Sequence, residues 1–174
     1  MADPRRLTGI LLVGGASTRF GSPKALARLG DRSLAEIGWE TLAFCDERLA
    51  VGKEADGVDL PFPLVDDGTD VRAPIAGVVA GLRAAANDPC VVLPVDTPRM
   101  TAEALVALAD ACRDAAVPQT GPLPGAYRRT ALPALERALS AGRLSLRDAL
   151  SGLDTLVVDV DPDLLLNINT PDDL

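Results

Sequence analysis

The chain has 174 residues, a net charge of −8, an aromatic content of 3% and no histidine. The absence of histidine excludes a Ser-His-Asp triad, a Cys-His dyad and an HExxH zinc site. The acidic charge and the scarcity of aromatic residues argue against nucleic-acid binding. Any chemistry must therefore depend on carboxylates, lysine, arginine, hydroxyl groups, backbone amides or a hard cation.

Short apolar runs alternate along the chain with segments of helical periodicity. Strands are predicted at 7–13, 48–51, 62–65, 90–95, 125–127 and 155–160, and helices at 33–45, 74–86, 101–115, 132–140 and 144–150. Such alternation predicts an α/β fold of three layers, with a mostly parallel sheet covered on both faces. Residues 1–174 are predicted to form a single domain, and Thr170, Pro171 and Asp173 predict the start of a further helix.

The three cysteines, Cys45, Cys90 and Cys112, are widely spaced and form no C-x-x-C pair. This spacing indicates free thiols in a reducing compartment. The apolar run near the N-terminus is too short for a signal peptide, and no stretch is long enough to span a bilayer. We therefore expect a cytoplasmic protein that binds neither membranes nor nucleic acid.

A glycine-rich segment, LLVGGASTRFGSPK, follows the first predicted strand at residues 11–24. Gly14 and Gly15 allow backbone amides to approach an anion, and Arg19 and Lys24 add positive charge. The spacing fits neither a Walker A loop nor a dinucleotide-binding fingerprint. A flexible turn is the alternative interpretation. All basic residues except Lys24 and Lys53 are arginine. A lysine inside the loop therefore indicates a need for a compact, rotatable ammonium and favours a phosphate-binding role.

Asp96 follows the apolar strand CVVLPV, at the same predicted sheet edge as the glycine loop. A carboxylate at this point can bind Mg²⁺, which takes oxygen ligands and keeps substrate phosphates in its coordination shell. The alternative is that Asp96 caps the following turn. An anion-binding loop on the same edge favours the metal interpretation, because Mg²⁺ would supply local positive potential.

Several segments together resemble the molybdenum cofactor guanylyltransferase (MobA-type) family of nucleotidyltransferases. Leu12-Val13-Gly14-Gly15, Arg19-Phe20-Gly21 and Lys24 are similar to the first family motif. The other matching segments are PIAGVVAGL at 74–82, PVDTP at 94–98, GAYRRTALPALERAL at 125–139, GRLSLRDAL at 142–150 and NINTPDDL at 167–174.

This resemblance implies a Rossmann-like nucleotide-diphospho-sugar transferase fold and a Mg²⁺-dependent reaction. In the implied reaction, the terminal phosphate of molybdopterin would attack the α-phosphate of GTP, pyrophosphate would leave, and a guanine dinucleotide cofactor would form. The resemblance also implies transient contacts with molybdoenzymes or other cofactor-biosynthesis proteins. Carried over by position, the implied nucleotide-binding residues are Leu12, Val13, Gly14, Gly15, Arg19, Lys24, Gly52, Asp66 and Asp96. Lys24, Arg19 and Asp96 would be catalytic, and Asp96 would bind Mg²⁺.

The acceptor side is implied at Asn167 and Asn169, with Tyr127 as a further binding candidate. Tyr127 could equally be a half-buried core residue. Val13 replaces the alanine usual in the family, and Gly52 stands where guanylyltransferases often place a base-contacting asparagine. A relative that uses CTP or another phosphorylated acceptor, and a non-catalytic module that binds or delivers the cofactor, remain the alternatives. Lys53 is interpreted as a surface charge.

Overall fold

The computed structural model describes residues 6–14 and 23–174. Within these residues, seven strands form one sheet in the order β5-β4-β1-β6-β8-β7-β9, and two short strands form a separate hairpin. Only β8 runs antiparallel to its neighbours in the large sheet. In chain order the strands are β1 (Thr8–Leu12), β2 (Arg28–Leu29), β3 (Arg32–Ser33), β4 (Glu47–Gly52), β5 (Leu64–Asp66), β6 (Cys90–Pro94), β7 (Ala115–Pro118), β8 (Gly125–Tyr127) and β9 (Thr155–Val158).

Helices cover both faces of the sheet and produce three layers. In chain order they are α1 (Leu34–Thr41), α2 (Pro74–Ala84), α3 (Ala102–Ala111), α4 (Leu132–Ser140) and α5 (Leu146–Ala149). One buried apolar cluster joins α1 and α3 to the sheet, and a second joins α2, α4 and α5 to the opposite face. The predicted α/β class, mostly parallel sheet and layered arrangement are confirmed.

The interior strand β1 is buried along its whole length, as its apolar sequence predicts. Leu11 contributes to one apolar cluster and Ile10 to the other, because neighbouring side chains point to opposite faces. Gly77 and Gly81 let α2 approach this strand closely. A Cβ at Gly77 would lie 2.8 Å from Leu12 Cδ2, and one at Gly81 would lie 2.7 Å from Ile10 Cδ1. The glycines of PIAGVVAGL therefore bring the helix against the strand.

The structure corrects one predicted element and adds another. The helix predicted at 101–115 ends at Ala111, and residues Ala115–Pro118 form the buried strand β7 instead. Alanine has a low strand propensity, so here burial between β8 and β9 outweighs local preference. The hairpin of β2 and β3 was not predicted; it turns at Gly30, whose φ is 65°.

Side-chain hydrogen bonds fix the start of the first helix. Ser33 and Glu36 form a capping box at the start of α1. The expected helix start at residue 170 is a single 3₁₀ turn, Pro171–Asp173. Across the described residues, we find no helix with the length and apolar character that a membrane crossing requires.

Candidate active site at the carboxyl edge of the sheet

A cavity of about 710 Å³ lies along the sheet edge at which the parallel strands end. Its size is in the range of small-molecule sites. It extends from the ends of β4 and β5, past β1 and β6, to the loop between β7 and β8. Ligands of open α/β sheets bind at this edge because loops from several strands meet there.

The centre of the cavity carries Lys24 and Asp96. Lys24 begins a short 3₁₀ turn, and Asp96 follows the end of β6. The Lys24 Nζ lies 3.9 Å from the Asp96 Oδ2. Burial raises the pKa of the Asp96 carboxyl, and the neighbouring Lys24 ammonium opposes that shift. The fold therefore places a cation beside a partly desolvated carboxylate in the cavity, at the sheet edge where the sequence predicts both residues.

The ends of β1 and β4 form a flat wall next to this centre. Leu12, Val13, Gly14 and Gly52 all line the cavity. A Cβ at Gly52 would lie 2.9 Å from Val13 Cγ2 and 3.4 Å from the Gly14 amide nitrogen. The Val13 side chain thus occupies the space that a larger residue at position 52 would need.

Lys53, interpreted as a surface charge from sequence, is instead a largely enclosed part of the cavity wall. Its side chain is only 10% exposed, and that of its partner Asp67 is 7% exposed. The Lys53 ammonium donates to both Asp67 carboxylate oxygens, at 2.9 and 2.8 Å, and to the Thr69 carbonyl. All three N–H groups of the ammonium are therefore used. This ion pair ties the end of β4 to the loop that precedes α2.

The structure places Asp67, rather than the predicted Asp66, on the cavity wall. Asp66 is exposed and accepts hydrogen bonds from the Glu54 and Gly68 amides. These hydrogen bonds lower the pKa of the Asp66 carboxyl. Asp66 therefore shapes the loop around the cavity without lining it.

The far wall of the cavity is formed by Thr120–Leu123 and by Asn167 and Asn169. The buried Ile168 separates the two asparagines, and its amide donates to the Asp96 carbonyl at 2.7 Å. Alternation along this extended segment places both asparagines on the cavity side. The Asp173 carboxylate accepts from the Asn169 and Thr170 amides and fixes the following turn. The structure thus brings both predicted asparagines to the cavity.

Tyr127 does not line the cavity, contrary to the binding role considered for it. Its side chain is fully buried, which raises the pKa of its phenol. The phenol donates a hydrogen bond to the carbonyl of Pro122, which is a residue of the far wall. Tyr127 therefore supports that wall from behind.

Two of the predicted phosphate-binding residues, Gly15 and Arg19, lie outside the described residues. Within residues 6–14 and 23–174, no group of three or more cysteine, aspartate or glutamate side chains is arranged to hold a metal. Asp96 is consequently a single carboxylate ligand candidate. A single carboxylate suits Mg²⁺, which fills the rest of its shell with water and substrate phosphates.

The fold and this site define a nucleotidyltransferase, and solved structures agree. Molybdopterin-guanine dinucleotide biosynthesis protein A from Archaeoglobus fulgidus aligns with a TM-score of 0.82 and 27% identity, over 95% of this chain and 94% of that one. The 2-C-methyl-D-erythritol 4-phosphate cytidylyltransferase from Thermus thermophilus has a TM-score of 0.75 at 19% identity, with coverage of 95% and 94%. The second similarity concerns the fold alone.

The chain belongs to the MobA-like NTP transferase domain family, which matches residues 9–156. A probable molybdenum cofactor guanylyltransferase from Chloroflexus aggregans is 35% identical over 192 aligned residues, covering 97% of this chain and 91% of the relative. The resemblance stated from sequence is confirmed, and the protein is an enzyme of the nucleotidyltransferase class.

Proposed function

We propose that this enzyme transfers the GMP unit of GTP to the terminal phosphate of molybdopterin and releases pyrophosphate. The central observation is the cavity, in which Lys24 and Asp96 stand between a wall of strand ends and a wall bearing two asparagines. Two substrates can meet at this central pair from opposite sides. The names of the relatives, molybdenum cofactor guanylyltransferases, support this pair of substrates.

The nucleophile in this reaction needs no general base. A phosphate monoester has a second pKa of about 6 and is already anionic at neutral pH. Catalysis then depends on positioning and on neutralising charge as the α-phosphate is attacked. We assign charge neutralisation to Lys24, together with Arg19. A chain without histidine is well suited to such a reaction.

We propose that Asp96 holds Mg²⁺ together with the triphosphate. When bound, the ion supplies positive charge to the phosphate oxygens and orients them. Asp96 provides one carboxylate from a rigid strand end, and its backbone carbonyl accepts the hydrogen bond from Ile168. Burial of the Asp96 carboxylate is costly, and a bound cation would add to the compensation that Lys24 gives at 3.9 Å.

On the nucleotide side, Leu12, Val13, Gly14 and Gly52 offer backbone groups and small side chains to guanine and ribose. On the acceptor side, Asn167 and Asn169 offer amide donors and acceptors to the pterin and its phosphate. All six residues line the cavity. We also propose a cytoplasmic setting, because Cys45 and Cys90 are free thiols.

Pyrophosphate release with GTP, Mg²⁺ and molybdopterin tests the proposal. Replacing one preorganised charge at a transferring phosphoryl group lowers turnover by about 100-fold or more. We expect Lys24→Ala and Asp96→Ala to show such losses with wild-type melting temperatures. Arg113→Ala is the control, since it breaks an exposed ion pair with Asp154 outside the cavity.

Near-normal pyrophosphate release by both variants would remove the assignment of Lys24 and Asp96. Equal or better use of CTP in a nucleotide panel would overturn the choice of GTP. Nucleotide binding by the wild type without pyrophosphate release, with molybdopterin present, would identify a binding module instead of a transferase.

A further inference from the structure

The nucleotide wall lacks a side chain at the end of β4 that could read a base. Gly52 has none, and Val13 Cγ2 would lie 2.9 Å from a Cβ placed there. Val13 itself presents only methyl groups. Neither residue has a side-chain group that distinguishes one base edge from another, so discrimination must come from polar groups farther along the wall.

Asp56 and Arg72 are the polar residues at that position. Asp56 ends the 3₁₀ turn Glu54–Asp56 that follows β4, and Arg72 lies shortly before α2. Both line the cavity. The Arg72 guanidinium donates to the Asp56 carboxylate at 2.7 and 3.3 Å. This hydrogen bond lowers the pKa of the Asp56 carboxyl, which is therefore ionised at neutral pH.

Unlike the neighbouring Lys53–Asp67 pair, this pair keeps exposed hydrogen-bond donors and acceptors with which a ligand can interact. Asp56 and Arg72 have side chains that are 21% and 48% exposed. A guanidinium has five N–H donors, of which the Asp56 contacts use two. Each Asp56 oxygen accepts one of these hydrogen bonds and retains a lone pair. By contrast, the Lys53 ammonium has no donor left.

The position of the pair suits the base of a nucleotide whose phosphates lie at Lys24 and Asp96. The sheet order β5-β4-β1-β6 places the end of β4 two strands from the end of β6. Two strand spacings correspond to about 10 Å, enough for a ribose to lie between phosphate and base. Asp56 follows β4, and Asp96 follows β6.

We propose that Asp56 and Arg72 determine the base specificity of the nucleotide site. The proposal rests on the proposed function, since it assumes that the nucleotide is GTP. The Asp56 carboxylate accepts hydrogen bonds from the N1–H and the 2-amino group of guanine, and Arg72 donates to O6. Cytosine presents the N3 lone pair in place of an N–H, so the carboxylate repels it.

Inosine triphosphate (ITP) distinguishes the role of Asp56 from that of Arg72. Its base, hypoxanthine, keeps the N1–H and O6 of guanine but lacks the 2-amino group that Asp56 would bind. We would measure dissociation constants of GTP, ITP and CTP by calorimetry, without acceptor. Wild type is expected to bind GTP about tenfold more tightly than ITP, which is the contribution of one well-placed hydrogen bond to an ionised group. Asp56→Asn should reduce this ratio to within about twofold.

Arg72→Gln should weaken GTP and ITP about equally and leave their ratio unchanged, since both bases carry O6. The matched control is the Arg83–Glu136 pair, which is similarly exposed, joined at 2.8 Å, and outside the cavity. Glu136→Gln and Arg83→Gln should bind all three nucleotides as wild type does. Exposed ion pairs contribute little to stability, so all four variants should fold.

An unchanged GTP:ITP ratio in Asp56→Asn, or wild-type affinity for GTP in Arg72→Gln, would overturn the proposal. Failure of the proposed function has a different signature. In that case the wild type itself would bind no GTP, or would release no pyrophosphate with GTP and molybdopterin. Wild-type GMP transfer combined with an unaltered GTP:ITP ratio in Asp56→Asn would remove only the specificity assignment.

Discussion

The two walls of the cavity lie on one sheet edge but differ sharply in charge. The wall at β4 and β5 carries Lys53 paired with Asp67 and Arg72 paired with Asp56. The far wall, formed by Thr120–Leu123, Asn167 and Asn169, has no formally charged side chain among its described residues.

The two walls come from different connections of the sheet. β1, β4, β5 and β6 are parallel, and their four adjacent carboxyl ends meet at this edge. The carboxyl end of β7 lies at the same edge, and Thr120–Leu123 connect it to the amino end of the antiparallel β8, where the Tyr127 hydrogen bond to Pro122 holds the loop. The ionic wall thus follows β4 and β5, and the neutral wall is formed by the β7–β8 connection and the segment after β9.

The largest expected effect concerns the Lys53–Asp67 pair of the charged wall. Lys53→Met leaves the Asp67 carboxylate, whose side chain is only 7% exposed, without its cation, and such a loss destabilises a protein by about 3 kcal/mol. For a chain of this length, the melting temperature should fall by about 8 °C. Calorimetric unfolding would measure it. Arg113→Ala serves as the control, and an unchanged melting temperature in Lys53→Met would show that the ionic wall is dispensable for folding.

The next effect concerns packing within the same wall. Gly52→Ala adds a Cβ 2.9 Å from Val13 Cγ2, and such overpacking costs about 1–3 kcal/mol. Val13→Ala removes the obstructing methyl groups, so the double variant should regain most of the lost stability. Chemical denaturation of the two single variants and the double variant gives the coupling. Additive losses would show that residues 13 and 52 do not share this space.

A substitution in the neutral wall should change the binding of the acceptor and leave the binding of GTP unchanged. Asn169→Ala removes an exposed amide, and one hydrogen bond to the acceptor is worth about 1 kcal/mol. The KM for molybdopterin should rise about fivefold, while the dissociation constant of GTP stays unchanged. Asp163→Ala, exposed and outside the cavity, is the control. A weakened GTP affinity in Asn169→Ala would show that the two walls do not serve separate substrates.

The smallest effect is a pH dependence in the β7–β9 half of the sheet. Hydrogen bonds from the Thr130 hydroxyl and the Asp154 amide lower the pKa of Asp114. A lowered folded-state pKa stabilises above the unfolded pKa, about 3.9, and this contribution is lost as pH falls through the folded value.

Asp114→Asn should therefore be less stable than wild type at pH 7, by less than about 1 kcal/mol because both hydrogen bonds of this carboxylate are exposed to solvent. The difference should shrink below pH 4. Denaturation at both pH values measures it, with the exposed Asp159→Asn as the control. A difference that persists at low pH would assign the effect to the amide substitution rather than to ionisation.

The fold and the centre of the site could be predicted because their signals are local. Apolar runs identified six of the seven strands of the large sheet, and parallel topology placed Gly14 and Asp96 on one edge. β7 was missed because its alanines have little strand preference and are held by neighbours distant in sequence. The role of Lys53 was missed because its partner Asp67 lies 14 residues later, after a loop and β5. One signal was available: Lys53 and Lys24 are the only two lysines in the chain.

One hydrogen bond has a consequence for how the two substrates communicate. The Ile168 amide donates to the Asp96 carbonyl, so the peptide that carries the central carboxylate also anchors the segment bearing both asparagines. A displacement of that strand end would therefore also displace the segment that carries Asn167 and Asn169. Under the proposed function, in which nucleotide and acceptor lie on opposite sides of Asp96, this hydrogen bond joins the two substrate positions through a single amide.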